Sequence, residues 1–328
     1  MKRWMMVVMR VVLVMAVGFG LVAKPFVIAF MPGIADPFYF TMEKGAKAMA
    51  AQLGPDKVQL IVGQYPATWG PDAQVPLLDA LMARGDIDLL FTAPTSTQAL
   101  IPVLKKYHDR GIPIITVDTY LGDGDYTKAS DYSFPLSYIG TDNKLGGEVV
   151  AAQLAVLLGG TGKVFLENTN PDTSSVMDRE RGFRQGLLGF PQMELVGVEY
   201  CLDNQETAQA QVANALQLHD DLAGVFGVNV FSAQGAHAAV AAAGLSGVVK
   251  VGTWDATATL IEALKNGEVD FILAQKPGEM GSLCVQWGYD YLASGKALSV
   301  PRKIVPGFFV FTKDNVNSPD SQQYIYSK

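Results

Sequence analysis

Short continuous apolar runs alternate along the chain with longer stretches whose apolar residues recur at helical spacing. The runs cover residues 25–31, 58–62, 89–92, 114–117, 163–167, 195–199, 224–227, 248–252 and 271–274. The helical stretches between them cover residues 40–53, 72–84, 145–158, 179–188, 208–219 and 232–243. Strands that are apolar on both faces are typical of parallel sheets covered by helices on each side. The pattern therefore predicts an α/β protein built on doubly wound parallel sheets.

The same plan occurs twice along the chain. Residues 84–91 and 220–226 each run from the end of a helix into a buried strand. With 328 residues, 49% of them hydrophobic, the chain is long and apolar enough to bury two ordinary cores. We therefore predict two similar lobes.

The first 23 residues differ from the rest of the chain. A basic start, Met1-Lys2-Arg3, is followed by an apolar run over residues 11–23, which predicts a secretory signal peptide and a mature chain that begins near Lys24 in the periplasm. A membrane anchor is the alternative, but the run is shorter than the roughly 20 residues of a membrane span, and Arg10 interrupts it.

Charge and cysteine content limit the range of possible functions. The formal net charge is −7, and no run of Lys or Arg occurs beyond the first residues, which argues against a nucleic acid partner. Cys201 and Cys284 form no metal-binding or C-x-x-C motif. They are either one disulfide or two buried thiols, and we favour buried thiols because free Cys is often fully buried.

Polar residues follow several predicted strands directly. Asp118 follows residues 114–117, Asn229 follows residues 225–228, and Asp255 stands close after residues 249–252. Ligands of open α/β sheets bind outside the carboxyl ends of the strands. We therefore expect these three side chains to converge on one cleft.

The first and last of the predicted strands add candidates of the same kind. Asp36, Phe38 and Tyr39 follow the first strand, and Gln275 follows the last. Planar side chains with paired hydrogen-bonding atoms, together with aromatic rings for stacking, suit a ring of hydroxyl groups with an apolar face. The sequence predicts a cleft for a sugar or polyol, without a cofactor or metal.

Structural roles compete with binding at these positions. Asp36 precedes Pro37 and is placed to cap a helix, while Phe38 and Tyr39 also suit a core. Asp118 is placed to hold a crossing strand. Asp203, which follows Cys201, is a weaker candidate for the cleft.

Several segments in this order resemble the periplasmic sugar-binding proteins of ABC importers, in the ribose-binding-like group of the type I fold. The segments are residues 35–39, 111–118, 139–143 with 146–147, 182–183, 252–255 and 274–275. The resemblance implies two lobes joined by three crossings, residues 24–140 plus 276–305 and residues 141–275 plus 306–328. It also implies a monomeric, non-enzymatic receptor that delivers its ligand to a membrane permease.

The same resemblance implies which residues contact the ligand. They are Asp36, Phe38, Tyr39 and Asp118 in the first lobe and Asn229, Asp255 and Gln275 in the second. Ribose binders have Arg at the positions that match Thr119 and, in an ungapped match, Met177. Asp178 or Arg179 would replace the second Arg if the loop shifts. Without both guanidinium groups, a polyol, deoxysugar or modified sugar is favoured over ribose.

Two further segments bear on function. Trp69, in a long loop at the predicted cleft mouth, would cap the sugar. Residues 121–135 form an insertion whose Gly-Asp-Gly-Asp motif lacks the terminal Glu of a calcium loop. A signalling role, in which the loaded protein contacts a chemoreceptor or sensor kinase, is the alternative function, and an enzyme acting on sugars ranks third.

Overall fold

The computed structural model describes residues 24–326, so the predicted signal peptide over residues 1–23 lies outside the described part. The first lobe begins with β1 (Phe26–Met31), α1 (Pro37–Leu53), β2 (Val58–Val62), α2 (Pro71–Met82), β3 (Leu89–Thr92), α3 (Ile101–Asp109), β4 (Ile114–Val117) and β5 (Ser137–Ile139). The second lobe follows with α4 (Asn143–Leu158), β6 (Thr161–Asn168), α5 (Ser174–Leu187), β7 (Gln192–Tyr200), α6 (Gln205–Leu218), β8 (Leu222–Gly227), α7 (Val230–Ala242), β9 (Lys250–Trp254), α8 (Ala258–Asn266) and β10 (Phe271–Ala274).

The last part of the chain contributes further elements to both lobes. Helix α9 (Pro277–Ala293) packs on α1 and β1, and β11 (Lys303–Ile304) pairs with β5 in the first sheet. Strand β12 (Phe309–Thr312) then pairs antiparallel with β10, and a 3₁₀ helix (Pro319–Tyr324) follows it.

Each lobe is a six-stranded sheet with helices on both faces. The strand orders are β11-β5-β4-β3-β1-β2 and β12-β10-β9-β8-β6-β7. Alternate residues of β1 enter different cores: Ile28 and Phe30 pack with the residues of α1 and α9, and Val27 and Ala29 with those of α2 and α3. The predicted α/β class with two doubly wound parallel-sheet lobes is confirmed.

Three chain crossings join the sheets. They follow β5, β10 and β11, and each is only a few residues long. The Thr141 hydroxyl donates to Gln275 Oε1 at 2.8 Å, and the Gly140 amide donates to the Ile304 carbonyl at 3.1 Å. The first crossing is therefore hydrogen-bonded to the second and to the strand that leads into the third, and the bond to the second holds Gln275 between the lobes.

The Arg302 side chain helps to hold the insertion over residues 121–135 to the first lobe. The Arg302 guanidinium donates to the carbonyls of Tyr126, Ser133 and Leu136, the last at 3.1 Å. One guanidinium thus satisfies backbone acceptors along the loop, which has little regular structure of its own.

The structure refines one sequence prediction and confirms another. Strand β9 is Lys250–Trp254 instead of residues 248–252, so Asp255 follows it directly. Cys201 and Cys284 are free and buried, which confirms the preference for buried thiols. Across residues 24–326, every helix is too short or too polar to cross a membrane.

Candidate functional site

A cavity lies between the carboxyl ends of the two sheets. Its walls come from both lobes and from the second crossing. The lining residues are Ile34, Asp36, Phe38, Tyr39, Trp69, Asp118, Thr169, Thr173, Ser175, Val176, Arg179, Asp203, Asn229, Phe231, Asp255 and Gln275. Nine of the ten residues predicted for the site are among them, and Met177 is the exception.

The loop from β1 into α1 supplies one wall. Asp36 has extended backbone, and its Oδ1 accepts the Tyr39 amide at 2.9 Å, which caps α1. The Phe38 and Tyr39 rings meet edge to face with centroids 5.0 Å apart, and both side chains are buried. Asp36 thus caps the helix and lines the cavity, so its structural and site roles coexist.

Trp69 covers the cavity from the loop after β2. Its ring lies beside Tyr39 at 6.2 Å with an interplanar angle of 27°, and its Nε1 donates to Thr173 Oγ1 of the second lobe at 2.8 Å. A Cβ at Gly33 would lie 2.3 Å from the Trp69 ring. Only glycine at position 33 allows the indole to approach this closely.

Asp118 and Asp255 occupy corresponding places in the two lobes. Each follows the strand end at a left-handed backbone position, with φ of 64° and 74°, which is uncommon for a residue other than glycine. Asp118 Oδ2 accepts the Tyr39 hydroxyl at 2.8 Å. The sharp turn at each position directs a carboxylate toward the space between the lobes.

Asp255 is held by the crossing and by the chain's last described residue. Its Oδ1 accepts Gln275 Nε2 at 3.0 Å and the Tyr326 hydroxyl at 2.9 Å. The backbone amide of Gln275 in turn donates to the Tyr326 hydroxyl oxygen at 2.8 Å. Tyr326 does not line the cavity, and the sequence pattern gave no reason to select it.

Asn229 also combines two roles. Its Oδ1 accepts the amides of Phe231 and Ser232 at 3.0 and 3.1 Å, which caps α7, while its Nδ2 donates to Asp203 Oδ1 at 2.7 Å. The cap fixes the rotamer of Asn229, and Asn229 then fixes the carboxylate of Asp203.

Arg179 is the one cationic side chain among the lining residues. Its Nε donates to Asn143 Oδ1 at 2.9 Å, its Nη1 donates to the Val228 carbonyl at 2.7 Å, and its guanidinium carbon lies 4.3 Å from the Trp254 ring centroid. The side chain is 2% exposed. Packing and hydrogen bonds therefore hold the guanidinium in one orientation at the cavity.

Met177, predicted as a ligand contact, does not line the cavity. Val176 and Arg179, three residues apart on α5, share the face toward the cavity, as helical geometry requires. Met177 lies on the neighbouring face and lines a separate crevice with Asp178 and Arg181. The ungapped match selected a position two residues before the Arg that reaches the cavity.

Thr119 stands at the other position where the resemblance implies an Arg. Its hydroxyl donates to the Pro94 carbonyl at 2.7 Å, and the side chain is fully buried. Thr119 is therefore engaged by the backbone and does not line the cavity.

Carboxyl groups dominate the electrostatics of the cavity. Burial raises the pKa of Asp36 well above its usual value, and the nearby carboxylates of Asp255 and Asp118 raise it further. Burial also raises the pKa of Asp118 to about 6, although Arg179 and the Tyr39 hydroxyl oppose the shift. The pKa of Asp255 is raised by burial against the same guanidinium. The cavity is thus rich in acceptors and short of positive charge.

Direct contacts close the cavity at its rim. Besides the Trp69–Thr173 bond, the Tyr120 amide donates to Ser174 Oγ at 2.9 Å, the Tyr120 hydroxyl to Asp178 Oδ2 at 2.7 Å, and Thr97 Oγ1 to Asp172 at 3.0 Å. Each bond joins the first lobe to the start of α5. The structure is therefore the closed form of the two lobes.

Some lining residues were not selected from the sequence. Phe231 and Val176 add apolar surface from the second lobe, and Thr169, Thr173 and Ser175 add hydroxyl groups. They lie just after β6 or at helix starts. Thr169 could have been selected because it follows a strand directly, whereas the residue types of the others do not indicate a binding role.

Comparison with known proteins identifies the family. The family described as "Periplasmic binding protein domain" matches residues 27–297. This chain belongs to it. The family consists of substrate-binding proteins, and the relatives place this member in its ribose-binding-like, type I group.

Individual relatives agree with that assignment. The chain is 29% identical over 246 residues to a D-ribose/D-allose-binding protein of Pseudomonas aeruginosa, which covers 75% of each protein. It is 28% identical over 286 residues to the ribose import binding protein of Salmonella typhimurium, covering 87% of this chain and 91% of that protein.

A solved periplasmic binding protein is more similar still. An ABC transporter solute-binding protein from Agrobacterium vitis, bound with α-D-tagatopyranose, shares 42% of its sequence with this chain. The superposition has a TM-score of 0.88 and covers 92% of this chain and 100% of the other. A second one, from Burkholderia graminis in complex with D-arabinose, is 26% identical with a TM-score of 0.80, over 90% of this chain and 98% of that one.

Proposed function

We propose that this protein captures one monosaccharide in its pyranose form, a ketohexose such as D-tagatose, in the cavity between its lobes. The observation that carries the proposal is the cavity itself. Its walls combine carboxylate and amide acceptors with the rings of Phe38, Tyr39, Trp69 and Phe231.

The polar groups match what a sugar presents. Hydroxyl groups donate to Asp36, Asp118 and Asp255, while Arg179 and the amides of Asn229 and Gln275 donate to hydroxyl and ring oxygens. Aromatic faces pack against the C–H face of the ring. Because the cavity is closed, an unpaired carboxylate inside it penalises the wrong epimer.

The loaded, closed protein delivers the sugar to the membrane permease of an ABC importer from the periplasm. Similarity to import binding proteins supports this role, as does the 42% identity to the tagatose-bound protein. Ligand contacts from both lobes stabilise the closed form, and the permease responds to that form.

The direct test is calorimetric titration of the purified protein with D-tagatose, its epimers D-fructose and D-sorbose, D-ribose and D-arabinose. We expect saturable binding of one sugar per protein, strongest for a ketohexose. Strongest binding of an aldopentose would overturn the ketohexose assignment. The absence of binding across the panel would overturn the proposal as a whole.

A further inference from the structure

The loop between β7 and α6 reverses the usual placement of apolar and polar side chains. Leu202 points outward and is 66% exposed. Asp203, the next residue, lines the cavity. Exposing a Leu and directing a carboxylate inward are both unfavourable for folding, so the arrangement needs another reason.

The backbone of this loop is also strained. Leu202 and Asp203 have φ of 52° and 57°, two consecutive left-handed residues that are not glycine. The turn is held by backbone bonds from the Cys201 amide to the Asn168 carbonyl at 3.0 Å and from the Leu202 amide to the Thr169 carbonyl at 2.7 Å. Strain of this kind, held by its surroundings, is concentrated at functional sites.

Asp118 and Asp255 are placed by the same device. Of the five residues with positive φ other than glycine in the described chain, Asp118, Asp203 and Asp255 line the cavity. Each follows soon after a strand of a parallel sheet, and each directs its carboxyl toward the space between the lobes. Asp203 is thus a third member of a set whose other two were already candidate ligand contacts.

Asn229 orients the Asp203 carboxyl. The Nδ2–Oδ1 bond is 2.7 Å, and Asn229 is itself fixed as the cap of α7. A carboxylate has about four acceptor positions, so this bond leaves capacity for a ligand. Burial raises the pKa of Asp203 to about 6, against the hydrogen bond from Asn229, which agrees with a carboxyl enclosed at the cavity wall.

We propose that Asp203 is a specificity-determining residue, whose carboxyl accepts a hydrogen bond from one hydroxyl of the bound sugar on the second-lobe side. The proposal rests on the proposed sugar-binding function and adds a contact that Asn229 alone cannot make. A sugar with that hydroxyl inverted or missing leaves one acceptor position of the enclosed carboxyl unfilled, so Asp203 discriminates between epimers.

The test compares Asp203→Ala, Asp203→Asn and the control Asp220→Ala by titration with D-tagatose, D-fructose and D-sorbose. Asp220 is an exposed carboxylate of the same lobe and does not line the cavity. We expect Asp203→Ala to weaken D-tagatose binding by about 10- to 100-fold. We also expect it to reduce the preference over at least one epimer by about 10-fold or more. Asp220→Ala should leave both unchanged.

Asp203→Asn separates a binding effect from a folding effect, because it keeps the shape and one acceptor oxygen. We expect it to fold with a thermal midpoint close to that of the unmodified protein and to show an intermediate loss of affinity. If the unmodified protein binds a sugar and both variants keep its affinity and epimer ratios within about twofold, the assignment of Asp203 is wrong. If the unmodified protein binds no sugar of the panel, the proposed function fails first, and the role of Asp203 fails with it.

Discussion

The guanidinium of Arg179 lies 4.3 Å from the centre of the Trp254 ring, on the second-lobe side of the cavity. Asn143 and the Val228 carbonyl accept two of its hydrogen bonds. The ring and the two acceptors together hold one planar cation among four carboxyl groups. Because of these contacts, we expect the guanidinium at position 179 to be difficult to replace.

We predict that Arg179→Lys weakens sugar binding by about 10- to 100-fold. A lysine ammonium cannot donate to both acceptors at once while it presents a donor to the cavity in fixed geometry. Titration calorimetry measures the change. The control is Arg181→Lys, an exposed neighbour on α5 that lines only the adjacent crevice. Equal affinities of Arg179→Lys and the unmodified protein would show that the guanidinium does not contact the sugar.

Much of the site could be predicted from the sequence because strand ends are easy to locate. Asp118, Asn229 and Gln275 stand directly beyond continuous apolar runs, and parallel strands bring their carboxyl ends to one edge. Met177 lies outside the cavity because a shift of two residues along a helix turns a side chain to another face. Only the three-dimensional path of the loop before α5 shows that Arg179 reaches the cavity.

Tyr326 could not be predicted for a different reason. Its contacts with Asp255 and Gln275 join residues 71 and 51 positions apart in the chain. No local pattern records such a contact. The fold was easier to predict from the sequence, because the periodicity of strands and helices is a local property. The contacts of Trp69 and Tyr120 that close the cavity depend instead on how the two lobes meet.

The second prediction concerns Tyr326→Phe. The change removes a hydroxyl that donates a hydrogen bond to Asp255 and accepts one from the buried backbone amide of Gln275. We expect a loss of about 1–3 kcal/mol in the free energy of unfolding, because a buried amide is left unpaired, and a several-fold loss of sugar affinity through the displaced Asp255 carboxyl. Urea unfolding and calorimetry measure the two effects. Unchanged affinity despite lower stability would restrict Tyr326 to a structural role.

The third prediction concerns the pH dependence of the protein without sugar. Burial raises the pKa of Asp118 from 3.8 to about 6 in the folded protein. The folded state therefore holds this proton more tightly than the unfolded state. The stability contributed by this group is fully present below pH 3.8 and is lost as the pH rises through about 6.

Asp118→Asn removes that dependence. Relative to the unmodified protein, the variant should gain about 1–3 kcal/mol in the free energy of unfolding between about pH 4.5 and 7.5. Urea unfolding at several pH values measures the difference, with the exposed Asp220→Asn as the matched control. Parallel pH profiles for Asp118→Asn and the unmodified protein would contradict a raised pKa at this position.

The fourth prediction concerns the rim. Tyr120→Phe removes the bond to Asp178 that joins the lobes but keeps the ring and the amide bond to Ser174. We expect sugar dissociation to become about 3- to 10-fold faster, while association changes less, because the bond forms only after closure. Stopped-flow fluorescence measures both rates. Tyr132→Phe, on the adjoining insertion over residues 121–135, is the control, and equal dissociation rates for the two variants would argue against the rim contact.

The most direct measurement of the central claim is titration calorimetry of D-tagatose into the purified protein, beside Asp255→Asn. We expect one site per protein with micromolar or tighter affinity. We also expect a loss of at least about 100-fold in the variant, whose carboxylate acceptor at the cavity wall is replaced by an amide. Equal binding by both proteins would contradict the location of the site, and no binding of D-tagatose or any other sugar of the panel by the unmodified protein would contradict sugar capture itself.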